Sequence, residues 1–294
     1  MWKIRLSEAG VHLFDRATGM NILLDEVDVP MEQFARAPRY VSIALTNVCG
    51  YCYAPKQAAA LDLDRVVSWA VELDGAGCLG VGFGGGEPTA YRRFADLCAR
   101  VAGTTSLAVT FTTHGHRITP GLADELRGSV HFARLSVDGV GETYERLRGR
   151  PFAAVTTAAA RLRSIAPLGI NTVVNSDTIE ELDDLAAFAV DAGASELLLL
   201  PEQPTAAVAG ISDADAGRLA QWIRASRLPL RLAISRSGLE ESVPAVEVVP
   251  GEQPLDAYLH VDATGVLRRN SYAEVGVPVG ESIMSAVQAF KEAA

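Results

Sequence analysis

Residues 46–53 read TNVCGYCY, with Cys49 and Cys52 in C-x2-C spacing directly after the apolar run YVSIAL. Two thiols at that spacing can form a redox dithiol, half of a zinc site or part of an iron–sulfur ligand set. A structural zinc takes about four ligands, and no second C-x2-C or finger-spaced histidine pair accompanies this one. A thioredoxin-type dithiol sets its first cysteine at a helix N-terminus, where the dipole lowers its pKa. Here YAPKQAAALDLD delays a clear amphipathic helix until about Leu63, beyond a proline. The chain's other two cysteines, Cys78 and Cys98, open an apolar strand and sit on the apolar face of a helix, so both read as core residues.

Whatever the thiols do, the elements around them must hold them in place. From residue 40 strand-like runs alternate with helix-like runs, the strands expected at Val41–Leu45, Leu79–Phe83, Leu107–Thr112, Phe132–Val137, Ile170–Val174 and Leu197–Leu200. Val66, Trp69, Ala70 and Leu73 share one helical face, and Phe94, Leu97, Cys98 and Val101 another. Thr178 with Glu181 and Ser212 with Asp215 have the spacing of capping boxes. Repeated βα units imply a parallel sheet with right-handed crossovers, doubly wound or curved toward a barrel. In both, chemistry gathers at the carboxyl ends of the strands. Those ends carry Thr46, Asn47, Cys49 and Cys52, then GGGEP at Gly84–Pro88, TTHG at Thr112–Gly115, SVDG at Ser136–Gly139 and Asn175.

Outside this alternation, GVHLFDRATGMNILLDEV reads as a β-hairpin around DRATG. After about residue 228, LRLAIS reads as one more strand, ESVPAVEVVPGEQP as an irregular connection, AYLHVDATGVLRR as a hairpin around Asp262–Gly265, and a last helix starts near Ser282. The net charge of −10 disfavours a nucleic-acid partner. No apolar run is long enough for a membrane span and the first residues lack a signal-peptide layout, so no membrane partner and a cytoplasmic location are expected. Four cysteines are too few for a disulfide scaffold.

Taken singly, GGGEP and SVDG are weak signals; together and in this order they resemble the radical S-adenosylmethionine (SAM) superfamily over about residues 40–205. Thr46, Asn47, Tyr51, Cys52, Tyr53, Gly85, Gly86, Glu87, Ser136, Asp138 and Asn175 match that pattern. The resemblance implies a partial (β/α)6 TIM-like barrel that holds a [4Fe–4S] cluster on loop thiolates and binds SAM at its open iron. An electron from the cluster then cleaves SAM to methionine and a 5′-deoxyadenosyl radical, which takes a hydrogen atom from the substrate. Carried over by position, Cys49 and Cys52 are the cluster ligands and catalytic residues, and Gly85, Gly86 and Glu87 receive the methionine amino group. Ser136, Asp138 and Asn175 take the ribose and carboxylate, Tyr51 lies near the adenine, and Tyr53 and Thr113 complete the cofactor set. His114 lines the mouth toward substrate or SAM, and Arg148 is a weak substrate-binding candidate. His114 and His116, as an i, i+2 pair on an extended segment, are expected on opposite faces rather than as a metal pair.

This loop departs from the family's C-x3-C-x2-C in carrying two cysteines. Three accounts fit: a loop segment of four residues is missing, the protein is a non-catalytic SAM- or peptide-binding scaffold, or another ligand replaces the third thiolate. The intact flanks and the retained Glu87, Ser136 and Asp138 favour the first. A C-x2-C dithiol oxidoreductase is the remaining alternative. The C-terminal region resembles a twitch or SPASM extension without its cysteines, so no auxiliary cluster is expected. The expected organisation is a hairpin extension at 1–38, a partial barrel at 39–227 and a small α+β cap at 228–294. The expected activity is hydrogen abstraction from a peptide in ribosomal-peptide maturation, or from a small metabolite, with a flavodoxin or ferredoxin as electron donor.

Overall fold

The apolar runs between the amphipathic helices form the six strands expected of them. In the computed structural model, which describes residues 2–47, 59–205, 208–235, 249 and 251–293, the strands are β1 Trp2–Ser7, β2 Gly10–Asp15, β3 Met20–Leu24, β4 Tyr40–Thr46, β5 Gly80–Gly85, β6 Ala108–Thr113, β7 Phe132–Ser136, β8 Leu168–Val174, β9 Glu196–Pro201, β10 Arg231–Ile234, β11 Tyr258–Val261, β12 Val266–Arg268 and β13 Gly276–Pro278. The helices are α1 Leu63–Gly75, α2 Phe94–Thr104, α3 Pro120–Leu126, α4 Glu142–Arg148, α5 Phe152–Arg163, α6 Leu182–Asp191, α7 Asp213–Ala225, α8 Pro254–Ala257 and α9 Ile283–Glu292. The chain forms two compact units, one of Met1–Thr112, Glu125–Phe132 and Val249–Ala294, the other of Thr113–Asp124 and Ala133–Val248.

In the first unit β6, β5, β4 and β11 pair in parallel in that order, and β12 and β13 continue from β11 antiparallel. Val41, Ile43 and Leu45 alternate with Tyr40 and Ser42, so β4 has one apolar face. On the apolar side Phe94 of α2 packs edge-on against Phe83 of β5 and Phe111 of β6, with centroids 6.4 and 5.2 Å apart. The opposite face is hollowed by glycine. A Cβ on Gly82 would sit 1.9 Å from the Tyr40 hydroxyl, which instead reaches across to Thr110 Oγ1 at 2.6 Å. Beside it the Ser42 hydroxyl lies 2.5 Å from Tyr258 OH and 2.6 Å from His260 Nδ1, tying β11 to β4.

The expected hairpin around DRATG is β2–β3, and a further strand, β1, pairs with β2 to make a three-stranded antiparallel sheet, β1-β2-β3. Trp2–Ser7 supplies that strand, its apolar residues alternating with Lys3, Arg5 and Ser7. Lys3 pairs with Asp74 of α1, Arg5 donates to the carbonyls of Ala37 and Gly77 at 2.8 and 2.9 Å, and Arg16 donates to those of Thr105 and Leu107.

In the second unit β7, β8, β9 and β10 are all parallel, in sequence order. Phe152 of α5 bridges Tyr144 of α4 and Phe188 of α6, at 5.6 and 5.2 Å between centroids. Ser212 caps α7 through the Asp215 N–H at 3.1 Å, as its spacing predicts. The Thr178–Glu181 box does not form: Thr178 Oγ1 donates to the Val173 carbonyl, and a short 3-10 turn at Ile179–Glu181 precedes α6. The expected C-terminal hairpin and helix are β11, β12 and α9, with β13 an added edge strand; most of the expected irregular connection lies outside the described residues.

Arg39, just before β4, is held by Glu252: Nε lies 3.0 Å from both carboxylate oxygens and Nη2 2.9 Å from one, with both side chains nearly buried. Glu252→Ala strips a buried guanidinium of its carboxylate, and urea unfolding should show a loss of about 3 kcal/mol. Retention of wild-type stability would assign the pair no structural role.

Candidate active site

β4 and β5 end in a register shift, Ala44 facing Gly84 and Thr46 facing Gly85. Gly85 makes it possible. Its φ is +110°, a Cβ there would lie 2.4 Å from the Thr46 carbonyl, and that same carbonyl accepts from Gly86 N–H at 2.8 Å. The chain then delivers Glu87, 2% exposed, as the cap of a 3-10 turn at Pro88–Ala90. Its Oε1 accepts from Thr89 N–H at 3.0 Å and from the Thr89 hydroxyl at 2.5 Å. A carboxylate is thus fixed at a strand end between glycine-lined backbone and a turn. Next to it Thr46 Oγ1 is buried with no hydrogen-bond partner among the described residues, and a Cβ on Gly84 would meet nothing within 4 Å. Thr46 also bridges Ala60, and Leu61 N–H donates to the Leu45 carbonyl, so the chain beyond Asn47 leaves and returns at one point. Cys49, Tyr51, Cys52 and Tyr53 lie outside the described residues.

The second unit carries its own set at the ends of its strands. Thr113, buried, accepts at Oγ1 from Gly115 N–H at 2.9 Å. The expectation that His114 and His116 diverge fails, because side chains two residues apart on an extended segment share a face, and Gly115 bends the chain between them with φ +81°. The rings lie side by side at 4.6 Å, His116 N–H donates to His114 Nδ1, and His116 Nε2 is 3.4 Å from Tyr144 OH. Ser136 is half-buried and its hydroxyl has no protein partner among the described residues. Asp138 accepts at Oδ1 from Val173 N–H at 2.9 Å and pairs through Oδ2 with Arg148, so these two expected ligand-binding side chains hold each other. Asn175 donates from Nδ2 to Glu202 Oε1 at 2.9 Å and accepts from Asp177 N–H.

Three site residues escaped sequence reasoning. Asn171 is opposite Ser136 in register, 8% exposed, and its Oδ1 has no partner among the described residues. Its signal was an amide interrupting the apolar run of β8. Glu202 stands directly after LLLLP, an acid at a strand's carboxyl end, and Thr89 is the hydroxyl two residues past Glu87 that fixes its carboxylate.

Cys78 and Cys98 behave as core residues. Both are fully buried, and burial pushes the Cys78 thiol up to about 11 and the Cys98 thiol up as well, so neither offers a thiolate at neutral pH. Among the described residues no group of three or more His, Cys, Asp and Glu side chains could hold a metal ion. Among them, too, no helix is long and apolar enough to cross a membrane.

Residues 46–189 match the family model described as the Radical SAM superfamily. A search of curated protein sequences finds no match. Among solved structures, Streptococcus suis SuiB bound to S-adenosylmethionine superposes with a TM-score of 0.72 at 14% identity, covering 94% of this chain and 84% of that one. SuiB bound to the precursor peptide SuiA gives 0.69 at 14% identity, over 92% and 83%. The protein anSMEcpe with bound AdoMet and Cp18Cys peptide gives 0.57 at 15% identity, over 80% and 75%. These likenesses establish the fold, an α/β arrangement of mostly parallel strands consistent with the expected partial (β/α)6 barrel.

The family implies SAM and a [4Fe–4S] cluster, and the described residues fit SAM. Buried polar groups are almost always hydrogen-bonded, yet among the described residues Thr46 Oγ1, beside Gly85 in the first unit, has no partner, and within the second unit Asn171 Oδ1, opposite Ser136, has none either. Unpaired donors and acceptors at strand ends suit a ligand with ammonium, carboxylate and hydroxyl groups. Thr46→Val keeps the volume and removes the orphan hydroxyl. Thermal melts should show the free protein more stable by about 1 kcal/mol, while its shift on adding SAM shrinks; an unchanged SAM-induced shift would remove Thr46 from the site. Over residues 46–189 the chain matches the radical SAM superfamily, and that stretch is carried on the fold it shares with these solved structures.

Proposed function

We propose that the protein is a radical SAM enzyme acting on a peptide, with 39–227 as its barrel and 1–38 and 228–294 as appendages. The observation that carries this is the paired end of β4 and β5, where Gly85 forces the turn, Glu87 is buried and fixed, and the Thr46 hydroxyl has no partner among the described residues. The peptide substrate is supported by neighbours of this fold, SuiB and anSMEcpe, which were each captured with a peptide. In this reading Cys49 and Cys52 are cluster ligands. Gly85, Gly86 and Glu87 hold the methionine ammonium, Glu87 by charge and the glycines by close backbone approach. Ser136, Thr113, Asp138 and Asn175 serve the ribose and carboxylate, Tyr51 and Tyr53 the adenine, and His114 the substrate side. Arg148 acts by holding the Asp138 carboxylate. When bound, the cluster supplies the electron that cleaves SAM to methionine and a 5′-deoxyadenosyl radical able to take a hydrogen atom from carbon. That electron comes from a small reductant protein of the flavodoxin or ferredoxin kind.

Anaerobic reconstitution with iron and sulfide, then reduction in the presence of SAM, tests the reading. About four irons per chain and release of 5′-deoxyadenosine are expected, both lost in Cys49→Ala and Cys52→Ala. Less than one cluster per chain with no SAM cleavage would sink it, and SAM binding in that protein would leave a non-catalytic scaffold.

A further inference from the structure

The amino-terminal sheet is built inside out. Register puts Ile4, Leu13 and Ile22 in one row across β1, β2 and β3, and Leu6, Val11 and Leu24 in the next, all on one face. A sheet ordinarily buries such a face. Here the side turned to the protein holds Arg5 and His12, 2% and 6% exposed, while Ile4 is 59%, Met20 52% and Trp2 47% exposed. Among the described residues, seven of the twelve large exposed hydrophobic residues lie between Trp2 and Met31, so the apolar surface there is concentrated rather than scattered. The outer edge of β3 pairs with no strand among the described residues.

Charge and size choose the occupant. The cations of this segment, Lys3, Arg5 and Arg16, are all tied inward, to Asp74 or to backbone carbonyls. The chain leaving β3 is acidic and exposed at Asp25, Glu26, Asp28 and Glu32, which form no ion pair among the described residues. A second copy would bring the same acids face to face, and an anionic lipid surface would be repelled. Three strands about 4.8 Å apart and six residues long cover roughly 300 Å², well short of the about 800 Å² per partner of a standard interface. That footprint suits one peptide segment. We propose that this face docks a cationic amphipathic peptide, its apolar side chains on Trp2, Ile4, Met20, Ile22 and Leu24 and its Lys or Arg side chains against Asp25, Glu26 and Asp28. The surface is distinct from the strand-end site; it rests on the peptide reading above, but its test needs neither SAM nor iron, so the two fail separately.

The experiment is fluorescence anisotropy of the full chain with a labelled peptide alternating Leu and Lys and a counterpart alternating Leu and Glu. The cationic peptide should bind at least about tenfold more tightly. Ile4→Glu with Ile22→Glu should weaken it by at least about tenfold, and D25N/E26Q/D28N should weaken it and flatten its salt dependence. These side chains are exposed, and unchanged melting verifies the fold; should the isoleucine variant melt early, the acidic-to-amide variant decides. Equal binding of the two peptides, or binding indifferent to these substitutions, overturns the proposal. So does a concentration-dependent dimer that the isoleucine substitutions dissociate, which would give the face to a second copy.

Discussion

Gly85→Ala is expected to lower stability by about 4 kcal/mol, adding backbone strain of about 1–3 to overpacking of about 1–3 kcal/mol. The backbone sits at φ +110°, and the new methyl would approach the Thr46 carbonyl to 2.4 Å, where the neighbour is main chain of β4 and cannot swing aside. Relief requires the β4 and β5 ends to separate. That movement breaks the Gly86-to-Thr46 hydrogen bond and displaces Glu87 with it. SAM binding should disappear along with the lost stability. Gly84→Ala is the matching control, because its methyl meets nothing within 4 Å and its backbone is in ordinary strand conformation. Its urea midpoint should stay at or slightly above wild type, while SAM affinity, read by equilibrium dialysis, should fall by about tenfold if the methyl costs one lost ligand contact. Equal stability of the two variants would show that the strand ends give way freely and that the turn is not what fixes Glu87.

The strands of the barrel region were legible because their apolar runs are continuous and separated by amphipathic helices of ordinary length, so Val41–Leu45 and Ile170–Val174 fall inside β4 and β8. The strand-end glycines and carboxylates were legible as a set for the same reason, since repeated βα units put all strand ends at one kind of position. What failed to show were features fixed by tertiary contact. Trp2–Ser7 alternates large apolar residues with Lys3 and Arg5, and only its ties to Asp74 and to the carbonyls of Ala37 and Gly77 reveal that the charged side is the inner one. Asn171 disappeared into an apolar strand, and the pairing of Asp138 with Arg148 depends on α4 folding back over the end of β7, which spacing alone does not specify. The histidine pair failed because side chains two residues apart on an extended segment share a face, so the expected divergence applied the strand period wrongly.

Mild acid should destabilise the protein by several kcal/mol through its buried histidines. His131 and His260 are both held down to about 4, chiefly by burial, with Arg16 adding to the effect at His131 and Arg268 at His260. Each ring nitrogen Nδ1 is also engaged, His131 accepting from Val109 N–H at 3.1 Å and His260 lying 2.6 Å from the Ser42 hydroxyl. In the unfolded chain both titrate near the ordinary histidine value of about 6.5. As pH falls below that value the unfolded chain takes up protons that the folded protein refuses, so stability is complete above about 6.5 and drains away down to about 4. A gap of about 2.5 units at about 1.4 kcal/mol per unit gives about 3.5 kcal/mol for each histidine, a large share of a typical stability of about 5–15 kcal/mol. His12, also lowered by burial, acts in the same direction. Asp74 and Asp262 have carboxyls held below their usual range by hydrogen bonds that outweigh their burial, so what they contribute is lost only in stronger acid, beneath the histidine window. Urea unfolding at pH 7.5 and pH 5 separates the two effects. Wild type should lose stability across that interval, and His131→Asn and His260→Gln should each lose less. A wild-type profile flat from pH 7.5 to pH 5 would mean that the two rings accept protons where they sit, and that the Ser42–Tyr258–His260 contact joining β11 to β4 opens without unfolding.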